Sequence, residues 1–305
     1  MRKLIVKRFK DGLDLAGARY WAASLGPALV GTTLPFWLQP PNYSFRLFAA
    51  FEFHLAALLM HSGYALLLTW YEGSSIHKWS KVKTLISAMC CIGSSSLIGF
   101  HLHHNLGLHA NVFEGIFLVY GVCVLLVGVL YVVPPVNFYR RAGGEIVITY
   151  SLGLLPLLGA YLVQVGDITR TVYLASLPIV VITGLWVWID EIIKTFLEDN
   201  SERDTLVRIF GIRTSSQIGV LSISILYFFS ILLAAFTGSV NPLALLLLLL
   251  IVPMGIIVNR TWRYYQDLDG LKKTRKSAVI LHLTTCVILA ISSMNWISIH
   301  LPSIT

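Results

Sequence analysis

Long apolar runs separated by short polar stretches are the dominant pattern along this chain. Each run is close to the 20 or so residues that a helix needs to cross a hydrocarbon core of roughly 30 Å. The runs are continuous and lack the apolar–polar alternation of barrel strands. The pattern predicts an all-α, polytopic membrane protein with nine transmembrane helices, at about residues 20–38, 46–69, 84–101, 111–133, 145–165, 172–190, 216–236, 241–259 and 277–298.

The predicted helices form a single membrane domain over residues 1–305. Residues 1–19 are basic and amphipathic, so they are expected to be an interfacial segment. Residues 20–298 form the nine-helix bundle. Residues 190–215 are expected to form a cytoplasmic cap loop, because they are the most acidic part of the chain.

Composition supports the membrane assignment. The chain is 56% hydrophobic, has a mean hydropathy of +0.75 and is 12% charged. This composition excludes a soluble globule, because too few polar residues are present to cover one.

The basic residues predict the orientation. Of 23 lysines and arginines, all but Arg46 and Arg170 fall on the same side of the predicted membrane as the N-terminus. The positive-inside rule then places the N-terminus in the cytoplasm and the C-terminus outside an inner or plasma membrane. The net charge of +8 serves this orientation. No nucleic-acid partner is expected, since no basic patch is interleaved with aromatic residues on a soluble face.

Acidic residues concentrate in one stretch near the end of the predicted sixth helix. Six of the fifteen acidic residues of the chain lie between positions 190 and 204: Asp190, Glu191, Glu198, Asp199, Glu202 and Asp204. Carboxylates at this density near a membrane need cations to neutralise them. The stretch is therefore the first candidate for a functional site.

Four motifs in collinear order resemble the UbiA superfamily of intramembrane prenyltransferases, most closely the branch that prenylates dihydroxynaphthoate on the way to menaquinone. The resemblance covers nearly the whole chain. The motifs are Pro27-x-x-x-Gly31 in the first helix, a Pro-Pro turn followed by Arg141-x-Gly-Gly-Glu145, the sequence Gly153-x-x-Pro156-x-x-Gly159, and TLVRIFG at residues 205–211.

The resemblance implies nine helices around a central cavity that opens sideways to lipid. It also implies two aspartate-rich motifs, at the cytoplasmic ends of the second and sixth helices, which hold Mg²⁺ against the diphosphate of a polyprenyl donor. Divalent cations suit this reaction because they stabilise the negative charge of the departing diphosphate.

This chain departs from the family at both motifs. At the first, the segment 68–72 retains only Glu72; at the second, Glu191, Lys194 and Glu198 align with the expected aspartates. Lys194 could contact a phosphate directly as a point charge or pair with acids four residues away. Mg²⁺ is therefore expected only at a thinned site made of Glu72, Glu191 and Glu198.

The first functional hypothesis is an integral-membrane enzyme that acts on an isoprenoid-type substrate from the bilayer, by prenyl transfer or terpene-type cyclisation. Its candidate catalytic residues are Glu72, Glu191, Lys194, Glu198 and Glu145. Its candidate substrate-binding residues are Asp190, Asp199, Lys78, Lys81, Arg140, Arg141 and His61.

Two further hypotheses stay open from the sequence. One is a cyclase of a lipid or polyketide-like substrate that uses neither metal nor diphosphate and relies on buried acid–base residues, with Glu72, Glu145, Glu52, His54 and His61 as candidates. The other is a non-catalytic protein that binds a lipid or scaffolds a partner.

Overall fold

The computed structural model describes residues 21–38, 44–73, 80–107, 111–197 and 203–294. Within these ranges the long elements are helices, and no strand occurs. We number them α1 (Trp21–Leu38), α2 (Leu47–Glu72), α3 (Lys81–Gly107), α4 (Asn111–Val132), α5 (Gly144–Val165), α6 (Arg170–Leu197), α7 (Ile212–Phe236), α8 (Pro242–Arg263) and α9 (Leu268–Ser293). Each matches one predicted span, so the all-α polytopic fold is confirmed.

Eight helices of the described ranges, α2 to α9, are long and apolar enough to cross a membrane. Helix α1 is not among them, because its glycines, prolines and threonines dilute its apolar residues. It lies inside the bundle instead, where Ala28, Val30 and Leu34 are almost fully inaccessible. The predicted count of nine spans is thus close to the eight that meet both criteria.

The bundle has a densely packed half and an open half. In the most apolar window of α6, 67% of residues are buried inside the protein, and the value is 50% for both α5 and α9. The corresponding windows of α3 and α4 are only 17% buried. Close backbone contact holds the dense half together: a Cβ at Gly31 of α1 would lie 2.1 Å from the carbonyl oxygen of Leu157 in α5.

One end of the bundle carries a cap segment, which we define as residues 203–211. It contains a short helix, Leu206–Phe210, whose first turn is capped by Thr205 Oγ1 accepting a hydrogen bond from Arg208 N at 3.3 Å. Helix α6 continues to Leu197, so residues 190–197, predicted to belong to the cap loop, are helical. We call this end, which also carries Glu72 at the end of α2, the cap end.

Candidate active site

A cavity of about 640 Å³ lies between helices α2 to α6, with one residue of α1, Ser24, in its wall, and the cap segment lines its cap end. Its wall changes character along its length. Towards the middle it is largely apolar and aromatic, with Phe53, Tyr64, Tyr120 and Phe117 among its residues. At the cap end it is charged and polar, lined by Glu72, Tyr139, Arg141, Glu145, Asp190, Glu191, Lys194, Arg203 and Thr205.

The central interaction at the cap end is a buried ion pair. Arg203 Nη2 lies 2.9 Å from Glu191 Oε2, and the two side chains are only 8% and 7% exposed. Arg203 Nε also donates to the backbone carbonyl of Tyr139 at 3.2 Å. The guanidinium lies 4.1 Å from the centre of the Tyr139 ring, where the ring face attracts a cation. Arg203 therefore binds the cap segment to α6 and to the loop before α5.

Asp190 is neutralised by two cations from different helices. Its Oδ2 is 3.1 Å from Lys194 Nζ, one turn further along α6, and its Oδ1 is 2.7 Å from Arg275 Nη1 in α9. Lys194 Nζ also lies 5.8 Å from the centre of the Tyr139 ring. The predicted pairing of Lys194 with Asp190 is thus formed, and both oxygens of the aspartate are in use.

Tyr139 connects the two sides of the cap end. Its hydroxyl donates a hydrogen bond to Glu72 Oε1 of α2, while its ring receives the cations of α6 and the cap segment. Burial raises the pKa of Tyr139 well above its usual range, so the hydroxyl stays protonated and acts as a donor. Glu72, the one acid retained at the first motif, is therefore already engaged by a protein donor.

Glu145 has no cationic partner among the described residues, unlike Asp190 and Glu191. Its Oε1 accepts hydrogen bonds from the backbone N–H groups of Leu206 at 2.7 Å and Val207 at 3.5 Å. Its Oε2 is buried and has no hydrogen-bond partner in the described structure, and the same is true of Glu191 Oε1. Buried polar atoms are generally hydrogen-bonded, so these two oxygens are available to a partner from outside the chain, such as water, an ion or a substrate.

The remaining predicted site residues are dispersed. His61 Nδ1 lies 2.7 Å from Ser24 Oγ, deeper in the cavity wall. Glu52 lies near the other end of α2, where its Oε1 is 3.5 Å from His101 Nε2, and His54 Nδ1 contacts the carbonyl of Ala50 at 2.7 Å.

The predicted basic residues border the cap end. Lys81 approaches Gly73, Arg140 lies 5.3 Å from the ring centre of Tyr71, and Arg141 Nη2 donates to the carbonyl of Pro135 at 2.8 Å. Lys78, Glu198 and Asp199 lie outside the described residues.

Sequence reasoning missed four important residues: Ser24, Tyr139, Arg203 and Arg275. They had no local signal, because each meets its partner from another helix or loop. The sequence offers only a charge-balance argument: six clustered carboxylates require cations, and the cap segment itself contains arginines.

The described residues do not fit a two-metal centre. Magnesium is held in proteins mainly by carboxylate oxygens and water, yet no group of three or more histidine, cysteine, aspartate or glutamate side chains converges in the described part of the chain. Arg203 and Lys194 already supply positive charge beside Glu191 and Asp190. A divalent cation placed against these carboxylates would be repelled by the positive charges of Arg203 and Lys194.

Comparisons with known proteins identify the fold. No family model and no curated protein sequence matches the chain. Solved structures do match over nearly its whole length. A UbiA homologue from Archaeoglobus fulgidus bound to Cd²⁺ has a TM-score of 0.63 at 12% identity, covering 91% of this chain and 99% of that one.

Two other structures agree with this match. The apo structure of a UbiA homologue from Aeropyrum pernix K1 has a TM-score of 0.62 at 14% identity, covering 90% of this chain and 98% of that one. A digeranylgeranylglyceryl phosphate synthase has a TM-score of 0.61 at 10% identity, covering 95% and 99%. The predicted resemblance is confirmed at the level of fold: the chain is an integral membrane protein with the architecture of the UbiA homologues.

Proposed function

We propose that the chain is an intramembrane cyclase that takes a polyene, isoprenoid-type lipid from the bilayer and cyclises it by proton transfer, without a carboxylate-held magnesium ion. The observation that carries this proposal is the asymmetry of two buried carboxyl groups at the cavity. Glu191 is paired with a guanidinium, whereas Glu145 has only backbone donors on one oxygen. Carboxyl groups in contrasting environments are a common basis for acid and base roles.

Glu145 is the proposed acid. Because its Oε1 accepts from Leu206 N, a proton on this carboxyl group lies on Oε2, the oxygen without a protein partner. Transfer of that proton to an alkene carbon of the lipid generates a carbocation. A second alkene of the same molecule then attacks the cation and closes a ring.

Glu191 is the proposed base. Its Oε1 has no hydrogen-bond partner in the described structure, so it can accept the proton that the cyclised cation loses. The reaction of the lipid is then an isomerisation, because one proton enters and one leaves. Before the next turnover Glu191 must release its proton to water and Glu145 must regain one from water, so no co-reactant is consumed. The aromatic wall, which includes Tyr64, Tyr120 and Trp186, presents π faces that stabilise a cation during ring closure and excludes water that would capture it.

A second candidate, prenyl transfer or cyclisation of a prenyl diphosphate at a thinned metal site, has its own support. The A. fulgidus homologue was also solved bound to GPP and Mg²⁺, with a TM-score of 0.56 at 13% identity, covering 91% of this chain and 99% of that one. In this chain Glu72 and Glu191 would supply ligands, together with Glu198. Lys81, Arg140 and Arg141 would then contact the diphosphate. This second candidate also includes membership of the menaquinone branch, a cytoplasmic N-terminus, and a location in an inner or plasma membrane.

The test is turnover of two lipids by the purified protein in nanodiscs. Geranylgeraniol is supplied in EDTA and deuterated water, and geranylgeranyl diphosphate is supplied with Mg²⁺; products are followed by mass spectrometry. The proposal expects a cyclised, deuterium-labelled product from the alcohol. Glu145→Gln should reduce the rate by about 10²-fold or more, as expected for loss of a general acid.

Glu52→Gln is the matched control, because Glu52 pairs with His101 far from the cap end and should leave the rate unchanged. Turnover of the diphosphate alone, dependent on Mg²⁺ and insensitive to Glu145→Gln, would replace the proposal with the second candidate. Binding of both lipids without any conversion would leave a lipid-binding scaffold.

A further inference from the structure

A second polar site lies within the apolar part of the cavity wall, away from the cap end. Ser24 Oγ of α1 and His61 Nδ1 of α2 are 2.7 Å apart, and both residues border the cavity. Next to them, Trp21 Nε1 donates to Ser62 Oγ at 3.0 Å. Helices α1 and α2 thus contribute polar groups that hydrogen-bond to each other, at a depth where the surrounding wall is apolar.

This pair differs from the other polar groups at the same depth. The hydroxyl of Tyr64 donates to the backbone carbonyls of Val124 and Leu125, and that of Tyr120 donates to Leu155 O. Their protons are therefore committed to the protein. The second ring nitrogen of His61, Nε2, has no hydrogen-bond partner among the described residues.

We infer that the Ser24–His61 pair binds a hydroxyl group on the isoprenoid substrate, at a point distant from the group that reacts at the cap end. This inference rests on the proposed function, because it assumes that an isoprenoid lipid occupies the cavity. His61 makes the contact through Nε2. Ser24 is a positioning residue, since its hydrogen bond to Nδ1 fixes the orientation of the imidazole ring.

The chemistry of a neutral imidazole selects a hydroxyl. With Nδ1 engaged by Ser24, Nε2 is either a donor or an acceptor, depending on the tautomer. A hydroxyl group both donates and accepts, so it satisfies Nε2 in either case. A carbonyl oxygen satisfies only one of the two tautomers, and an alkene satisfies neither.

The position of His61 sets the spacing that the substrate must have. His61 precedes Glu72 by eleven residues in the same helix, which is about 16 Å along the axis at 1.5 Å per residue. The substrate class is therefore an isoprenoid with one end at the cap end and a hydroxyl roughly this distance along its chain.

The test uses geraniol, farnesol and geranylgeraniol, each with and without a second hydroxyl at the far end of the chain. Binding to the full-length protein in nanodiscs is measured by competition against a fluorescent prenyl alcohol. For the chain length that reaches His61, the second hydroxyl should tighten binding by about tenfold, close to the contribution of one buried hydrogen bond. His61→Leu should abolish this gain, measured as the ratio of the affinities for the diol and the simple alcohol within the same variant.

Variants separate a binding role from a structural one. His61→Gln keeps a polar group at the position and should restore part of the gain, whereas Ser24→Ala should reduce the ratio of the two affinities without abolishing it. Equal affinity for the alcohol and its diol at every chain length would overturn the inference but leave the proposed function intact. Failure of all six lipids to bind would overturn both.

Discussion

The two halves of the bundle differ in packing and in chemistry. Helices α5, α6 and α9 are half to two-thirds buried and hold most of the charged network, including Glu145, Asp190 and Glu191. Helices α3 and α4 are 17% buried and contribute mainly apolar residues. The comparison teaches that the charged site is supported by the densely packed half, which we call the rigid half. Under the proposed function, the open half would provide access for lipid.

The physical reason is the cost of placing charge in a low-dielectric interior. Buried ions are tolerated only with partners in good geometry, and such geometry requires elements that do not move. The closely packed helices provide it, with Arg203 and Arg275 reaching the acids from the cap segment and from α9. Among the described residues, α3 and α4 contribute no cation to Asp190 or Glu191.

The largest expected effect follows from breaking the buried pair of the rigid half. Arg203→Met leaves Glu191 buried without its cation and should lower the free energy of unfolding by about 3–5 kcal/mol. Thermal unfolding of the purified protein in detergent measures the change. The double variant Arg203→Met with Glu191→Gln should recover much of this loss, because it removes the isolated charge. A double variant no more stable than Arg203→Met would contradict the assignment of the loss to an unpaired carboxylate.

A smaller effect compares two glycines, one in each half. At Gly31 of α1 an added Cβ would meet the backbone oxygen of Leu157 at 2.1 Å, whereas at Gly93 of α3 nothing lies within 4 Å. Gly31→Ala should destabilise the protein by about 1–3 kcal/mol, as overpacking does. Gly93→Ala should be neutral or stabilising by up to about 1 kcal/mol, because alanine favours a helix. The same unfolding assay compares them, and equal effects would show that the halves are packed alike.

The smallest effect concerns lipid access through the open half. Gly99 of α3 borders the cavity, and its Cβ position is free of neighbours within 4 Å. Gly99→Phe should place a ring in the cavity and weaken binding of a fluorescent prenyl alcohol by about tenfold, or about 1.4 kcal/mol. The melting temperature should stay unchanged, and Gly93→Ala serves as the control. Unchanged binding would show that the lipid does not occupy this part of the cavity.

Much of the fold could be predicted from the sequence, because the hydrophobic length of a span is a strong and local signal. The i to i+4 pairing of Lys194 with Asp190 was equally local and is present. The buried pair of Arg203 and Glu191 was not predictable, since it depends on how the cap segment folds back over the bundle. The contact between Ser24 and His61 also joins two helices, and no pattern within either helix indicates it.

The attachment of the cap segment determines which of its own side chains can be replaced. Two hydrogen bonds attach the cap segment through its own main-chain N–H groups. Asp204 N donates to the main-chain oxygen of Arg140 at 2.8 Å, and Leu206 N donates to the side-chain Oε1 of Glu145 at 2.7 Å. Substitution of the side chains at positions 204 and 206 by any residue except proline keeps both N–H donors. The side chains that hold the cap segment in place are therefore those of Arg203 and Glu145, and the polar face of Asp204 and the apolar face of Leu206 can change without releasing it.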